Sequence, residues 1–240
     1  MRRHRLIGLS ETTTKNTIKY IEDGILEHKA KLKNMPIIDE NFNGILDLTD
    51  SIGDADWFFI YLACLVENPK KIMEIGTWIG LSTYAMALAS NALIYTCDQG
   101  PDNFFIAPDK KSCVDRIIRH PNTHSSVFTK KIDDGFDFIF NDASLTDNDA
   151  KNLFEKCEDK FTFVTHDYYR LTKYNRVVFC KGRYAIERMM KYAWNNNYKT
   201  KLFTPAENWY STEGYWHSTG LWGISINTCC AMLKIEREDA

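Results

Sequence analysis

Ile72-Met-Glu-Ile-Gly-Thr-Trp-Ile-Gly-Leu-Ser-Thr83 is the stretch on which the fold turns. Lys71 to Ile75 is a short apolar run suited to a strand, and it ends in a glycine. Leu81, Tyr84, Ala85 and Leu88 then recur at helical spacing. The segment therefore predicts a strand, a tight turn and a helix. In a doubly wound sheet, ligands sit beyond the carboxyl ends of the strands, where such a turn lies. Gly76 permits a tight backbone turn and leaves room beside it. Gly80 lets the helix begin close to the strand, and Ser82 and Thr83 place hydroxyls at its start.

The glycine spacing narrows the ligand. A dinucleotide loop reads G-x-G-x-x-G, whereas here the order is G-x-x-x-G with no third glycine. That spacing disfavours a cradled pyrophosphate and suits a cofactor without phosphate. Asp98 closes the next apolar run, Leu93 to Cys97, where an acid can take both hydroxyls of a ribose. A ligand-free glycine turn remains the competing reading of the loop alone. Glu74 and Asp98 argue against it, since each is expected to bring a carboxylate to a strand end on one crevice.

Working outward, strands and helices alternate. Trp57, Ile60, Tyr61 and Cys64 give a helix before the first strand. Ser112 to Arg119 predicts a short helix and Ser126 to Thr129 a weak strand. Phe136 to Phe140 is a strong strand, Thr146 heads a helix carrying Ala150, Leu153, Phe154 and Cys157, and Phe161 to Thr165 is the next strand. Ile186, Met189, Met190, Ala193 and Trp194 mark a long helix, and Tyr198–Phe203 and Leu221–Asn227 the last strands. Alternation of this kind predicts an α/β, Rossmann-like doubly wound sheet with helices on both faces. Residues 1–50, with a surface helix over Thr17–Lys33, read as a lid or oligomer arm. Residues 51–240 read as the main domain.

Composition removes several classes. A net charge of −2 gives no global attraction for nucleic acid or an anionic membrane. No apolar run approaches a membrane span, and Leu6 to Leu9 is too short for a signal peptide core. Seven cysteines without a C-x-x-C pair point to free thiols in a reducing, cytoplasmic setting rather than a zinc or disulfide framework.

Glu74 to Thr83 resembles motif I of class I S-adenosylmethionine-dependent methyltransferases, in the small-molecule O-methyltransferase branch that includes the catechol and macrolide-sugar types. The loop matches E-I-G-T-x-x-G-x-S-T at every fixed position, and a weaker likeness runs from about Gly44 to Asn227. The resemblance implies a seven-stranded sheet, mostly parallel, whose last strand is antiparallel. It also implies S-adenosyl-L-methionine as cofactor. Glu74, Gly76, Thr77, Gly80 and Ser82 would form its methionine loop, Asp98 would bind ribose, and Asp142 would lie near the sulfonium. Trp78 could present an aromatic face to that cation or pack as an ordinary core or lid aromatic.

Two further strand ends are polar: Asn141-Asp-Ala-Ser144 and His166-Asp-Tyr-Tyr169. The resemblance implies a divalent cation such as Mg²⁺ held by Asp142, His166 and Asp167. Mg²⁺ prefers oxygen ligands and would lower the pKa of a substrate hydroxyl. Alternatively, His166 takes the hydroxyl proton itself, beside Asp142. A turn fixed by side-chain hydrogen bonds is the third reading, and the residues do not choose among the three. Tyr168, Tyr169, Arg170, Tyr174 and Arg176, with Trp209, Tyr210, Tyr215, Trp216, His217 and Trp222, suit a pocket for a sugar or aromatic acceptor; ordinary loop packing explains them equally. His217 is a second candidate base.

One departure stands out. The stretch from Asn122 to Phe136 has room for a strand but hardly for a helix after it, which curtails the usual adenine pocket. Asp133 and Asp134 are the candidates to contribute there. The expected activity is O-methylation of a small hydroxylated molecule, by a protein that could form a homodimer. The alternatives are a nicotinamide-dependent Rossmann oxidoreductase and a methyltransferase-like module that binds cofactor without turnover.

Overall fold

The computed structural model describes residues 19–21, 23–24, 26–28, 30–31, 54–104, 111–171, 177–204 and 229–238. Helix α1 (Asp54–Glu67) leads into β1 (Lys71–Ile75), α2 (Leu81–Ala89) and β2 (Leu93–Cys97). Next come α3 (Lys111–Val114), β3 (Ile117–His120), α4 (Ser125–Lys131), β4 (Phe136–Asn141), α5 (Asp147–Lys156) and β5 (Cys157–Thr165). A two-stranded hairpin, β6 (Tyr169–Leu171) and β7 (Val177–Phe179), precedes α6 (Lys181–Asn195), β8 (Tyr198–Phe203) and β9 (Ala231–Arg237).

Seven strands form one sheet in the order β3-β2-β1-β4-β5-β9-β8. The first five are parallel, and β9 runs antiparallel between β5 and β8. This is the expected doubly wound sheet with its antiparallel last strand. Parallel strands need crossovers that cover both faces, and two apolar layers show that cover. On one side Trp57, Leu62, Tyr84 and Met86 of α1 and α2 pack on Ile72, Ile94, Phe138 and Phe140. On the other, Phe128, Leu153, Ile186 and Met189 of α4, α5 and α6 pack on Met73, Ile75, Ile139 and Phe163. Neighbouring residues of β1 thus serve opposite layers, as the strand pleat requires. Helix α5 starts with a capping box in which Thr146 and Asp149 satisfy each other's backbone N–H groups.

Three expectations change. Ser112 to Arg119 is not one helix: a four-residue helix gives way to edge strand β3. Ser126 to Thr129 lies in α4 rather than a strand, so β3 is followed by a helix after all and the apparent truncation before Phe136 disappears. The seventh strand is Ala231–Arg237; Leu221–Asn227 lies outside the described residues.

So do most of residues 1–50. Within the helix expected over Thr17–Lys33, residues 19–21, 23–24, 26–27 and 30–31 are helical. Ile21 is buried, and the Tyr20 hydroxyl donates to Glu67 Oε1 at 2.8 Å, tying this segment to α1. No helix among the described residues is long and apolar enough to cross a membrane.

Candidate active site

Because β1 to β5 are parallel, the loops that follow them open on one edge of the sheet. Backbone hydrogen bonds stitch those loops together. Cys97 O, at the end of β2, accepts from Gly76 N at 2.9 Å and Thr77 N at 3.1 Å. Asp142 N donates to Ile75 O at 2.8 Å, and His166 N to Asn141 O at 3.0 Å. The polar strand ends are thereby held side by side.

The glycine loop is left-handed at three of its five residues: Gly76 (φ 93°), Trp78 (φ 48°) and Gly80 (φ 89°). A Cβ on Gly76 would stand 3.3 Å from both backbone and side chain of Asp142, so the glycine keeps that approach open. Trp78 is 48% exposed, which removes its reading as a core aromatic. The Trp78 backbone N–H donates to Asp98 Oδ2 at 2.8 Å, and the Gly100 backbone N–H donates to Asp98 Oδ1 at 2.6 Å. Each carboxylate oxygen keeps a second lone pair, so Asp98 is aimed by the loop and still able to accept.

Glu74 does not line the crevice as expected. It is fully buried and its two oxygens accept from the hydroxyls of Ser82 and Thr83. It braces the loop against α2 from beneath, and Ser82 is committed to it. Burial pushes the Glu74 carboxyl up to about 7; the Ser82, Thr83 and Thr96 hydroxyls offset part of that rise.

Asp142, His166 and Asp167 converge, as the sequence suggested, with ligand-type atoms within 4.8 Å of one another. Sequence reasoning missed three members of this cluster. Asp56, near the start of α1, accepts from His166 Nε2 at 3.2 Å and from Cys229 N at 2.7 Å. Cys229, just before β9, also brings its Sγ to 3.5 Å from Asp56 Oδ2. Lys181, the first residue of α6, places Nζ 2.8 Å from Asp142 Oδ1 and 3.4 Å from Asp167 Oδ2. The available signals were slight: an acid opening an otherwise apolar helix at Asp54-Ala-Asp56, and a glycine at the start of α6.

His166 lies between two carboxylates, with Nδ1 3.1 Å from Asp142 Oδ1 and Nε2 3.2 Å from Asp56 Oδ2. Burial alone would drive off its proton, but the hydrogen bonds to Asp142 and Asp56 outweigh it and raise its pKa far above the ordinary value. Burial likewise works against the Asp142 carboxylate, and His166 and Lys181 overcome it, holding its pKa below the usual range. For Lys181 burial is again outweighed, here by Asp142 and Asp167, and its pKa is raised. Three carboxylates, from Asp56, Asp142 and Asp167, thus surround the His166 ring and the Lys181 ammonium. The donor set does not fit a divalent ion as it stands. Both ring nitrogens of His166 already face carboxylates, and the Lys181 ammonium already bridges Asp142 and Asp167.

The end of β3 supplies a further unsatisfied group. His120 pairs in register with Cys97, next to Asp98. Its Nε2 is buried without a partner among the described residues, and burial lowers its pKa, which keeps it neutral. Asn122 N and Thr123 N bond to Gly100 O and Asp98 O, joining this turn to the Asp98 loop. A cavity of about 420 Å³ opens here, lined by His120, Asn122, Thr123, His124 and residues of α4. Asp133 and Asp134 lie at the opposite end of the sheet, paired with Lys71 and Lys156, and cannot serve this edge. A buried orphan nitrogen, an oriented acid and a glycine cradle in sequence along one edge fit an adenosyl cofactor.

Residues 73–168 match the family model described as a methyltransferase domain. The fold is shared with a methyltransferase from Geobacter sulfurreducens, at 12% identity over 97% of this chain and 92% of that one, TM-score 0.51. It is also shared with the O-methyltransferase TomG from Streptomyces achromogenes, involved in tomaymycin synthesis and solved with SAM, at 11% identity over 97% and 100% of the two chains, TM-score 0.50. No curated protein matches the sequence. The domain match sets aside the nicotinamide oxidoreductase. Helix α4 removes the missing element on which the non-catalytic alternative leaned. Residues 73–168 thus match a methyltransferase domain, set in a fold shared with methyltransferase structures.

Proposed function

We propose that this protein transfers the methyl group of S-adenosyl-L-methionine to a hydroxyl of a small molecule, with a sugar or aromatic alcohol as acceptor class. The observation that carries the reading is the row of cradle, acid and orphan nitrogen at one sheet edge: Gly76 to Gly80, Asp98 and His120. The bound cofactor supplies an electrophilic methyl on a sulfonium. Asp98 is oriented to take the ribose hydroxyls, and the neutral His120 ring to meet the base. Glu74 and Ser82 act from below, fixing the loop rather than touching the cofactor.

On the acceptor side Asp142 is the central group. Its Oδ1 accepts from both His166 and Lys181, while Oδ2 accepts from no described residue. An ionised oxygen beside Gly76 can hold an acceptor hydroxyl by a hydrogen bond and orient its lone pair. Its low pKa makes it a weak base, so most of the gain comes from positioning. His166 is a positioning residue here: both nitrogens are occupied, so it holds Asp142 rather than taking a proton.

Calorimetric titration with S-adenosylmethionine and its demethylated product tests the cofactor half. Transfer of radiolabelled methyl to a panel of phenols, catechols and sugars tests the other half. Absence of cofactor binding at millimolar concentration defeats the reading.

A further inference from the structure

The two acids that a divalent cation would bridge are already bridged from within the chain. Lys181 Nζ lies 2.8 Å from Asp142 Oδ1, donates to Asp142 O at 2.7 Å, and lies 3.4 Å from Asp167 Oδ2. An ammonium has three protons and no lone pair, and here each proton has an acceptor.

The lysine is delivered by a fixed piece of backbone. Gly182 N donates to Asp167 O at 3.0 Å, and Cys180 N to Tyr168 O at 3.2 Å. A Cβ on Gly182 would fall 2.1 Å from His166 O and 2.8 Å from Asp167 C and Tyr168 N. Those are backbone atoms, which cannot swing aside. Only glycine lets α6 begin pressed against the loop after β5. That contact sets Lys181 beside Asp142 and Asp167.

The third expected ligand is also spent. His166 directs both ring nitrogens at carboxylates, Asp142 on one side and Asp56 on the other. Asp56 is itself anchored by Cys229 N at 2.7 Å, which fixes the ring from behind.

We propose that Lys181 is the resident cation of this site: its ammonium bridges Asp142 and Asp167 in place of a divalent metal, and the site takes no metal while Lys181 is present. For catalysis the inference rests on the methyltransferase reading; for metal exclusion it stands on the cluster alone. Lys181 acts through Asp142 as a positioning residue, turning Oδ1 inward and leaving Oδ2 for the acceptor. A saturated ammonium cannot chelate two substrate oxygens, so the acceptor needs one hydroxyl rather than a vicinal pair.

Manganese titration followed by electron paramagnetic resonance tests this without any acceptor. The full-length wild-type protein should leave added Mn²⁺ free. Lys181→Met should bind one Mn²⁺ at least about ten-fold more tightly than wild type, the scale on which one neighbouring group tunes a metal site. Adding Asp167→Asn to that variant should abolish the gain. Stoichiometric Mn²⁺ binding by wild type that Asp142→Asn removes would overturn the proposal, as would a folded Lys181→Met that gains no binding. The wild-type titration decides the matter even where the variant fails to fold. With an acceptor in hand, strong chelation should leave the wild-type rate unchanged, while the Lys181→Met rate should fall and recover with Mg²⁺ or Mn²⁺. Wild-type activity lost on chelation and restored by Mg²⁺ would also overturn it. Cofactor calorimetry judges the methyltransferase reading separately, so the two can fail independently.

Discussion

Replacing Glu74 by glutamine should make the protein's stability less sensitive to pH, in a direction opposite to that of a salt-bridged acid. Burial raises this carboxyl from 4.5 to about 7. Folded Glu74 therefore holds its proton more firmly than the unfolded chain does. Below about pH 4.5 both states are protonated and the contribution is constant. From there to about pH 7 the unfolded state has lost the proton and the folded state keeps it, so stability falls by about 1.4 kcal/mol per pH unit. Above that both are ionised and the loss levels off. The shift in the two pKa values corresponds to about 3 kcal/mol, a large share of the 5–15 kcal/mol typical of a folded domain. Glutamine fills the same space without ionising, and the Ser82 and Thr83 hydroxyls can rotate to meet its oxygen and its amide. Other groups titrate in this range, so the informative quantity is the difference between the two proteins. Urea unfolding with linear extrapolation, run in steps from about pH 4.5 to about pH 8.5, should show the variant gaining on wild type by about 3 kcal/mol. Parallel curves would show that Glu74 is ionised throughout, with the loop hydroxyls and solvent outweighing burial.

Four further outcomes follow from the same geometry. Gly182→Ala should cost more than about 2 kcal/mol, because the added carbon meets unyielding backbone; a loss within error in thermal or urea unfolding would mean that α6 can lift off Asp167. Gly80→Ala adds left-handed strain of about 1–2 kcal/mol and a contact of 2.3 Å with the Phe104 ring, so cofactor affinity by calorimetry should drop, and unchanged affinity would show that the loop has slack. Asp98→Asn should weaken binding of the demethylated cofactor by roughly 10- to 100-fold, the range for a hydrogen bond to a charged group; unchanged binding would remove Asp98 from the site. At pH near 8, nitrogen NMR should find both ring nitrogens of His166 protonated, since its pKa is raised above the ordinary value; a neutral tautomer would return it to the list of candidate bases.

The parts of this fold that were legible in the sequence are those that local pattern dictates. The β1 loop carried its own glycines, β4 its run of apolar residues, and α5 its threonine cap. The misread elements are short, and neighbours decide them. β3 is four residues long and only half-buried at the edge, so Ile117 and Ile118 passed for a helix end. Helix α4 contains Val127 and Thr129, which favour strands, and is capped by the His124 ring rather than a common capping residue. β9 reads Ala-Met-Leu-Lys-Ile-Glu-Arg, mostly good helix formers. It is a strand because Phe161 and Phe163 on one side, and Thr200 and Leu202 on the other, offer it two partners. Packing overrides propensity there.

The site divides along the same line. Asp98, Asp142, His166 and Asp167 each follow a strand, and strand ends can be read. Asp56 and Lys181 reach the same point from helix starts on either side, 110 and 15 positions from His166. Nothing in their local sequence announces a charge partner. Yet they decide the chemistry, because they turn a histidine from a base or metal ligand into a fixed donor and supply a cation between two acids. The clearer of the two slight clues was Gly182, which stands where the backbone it touches leaves no room for a Cβ. A glycine in that place is the mark of two chain segments in contact, and the side chain beside it is where the consequence of that contact should be sought.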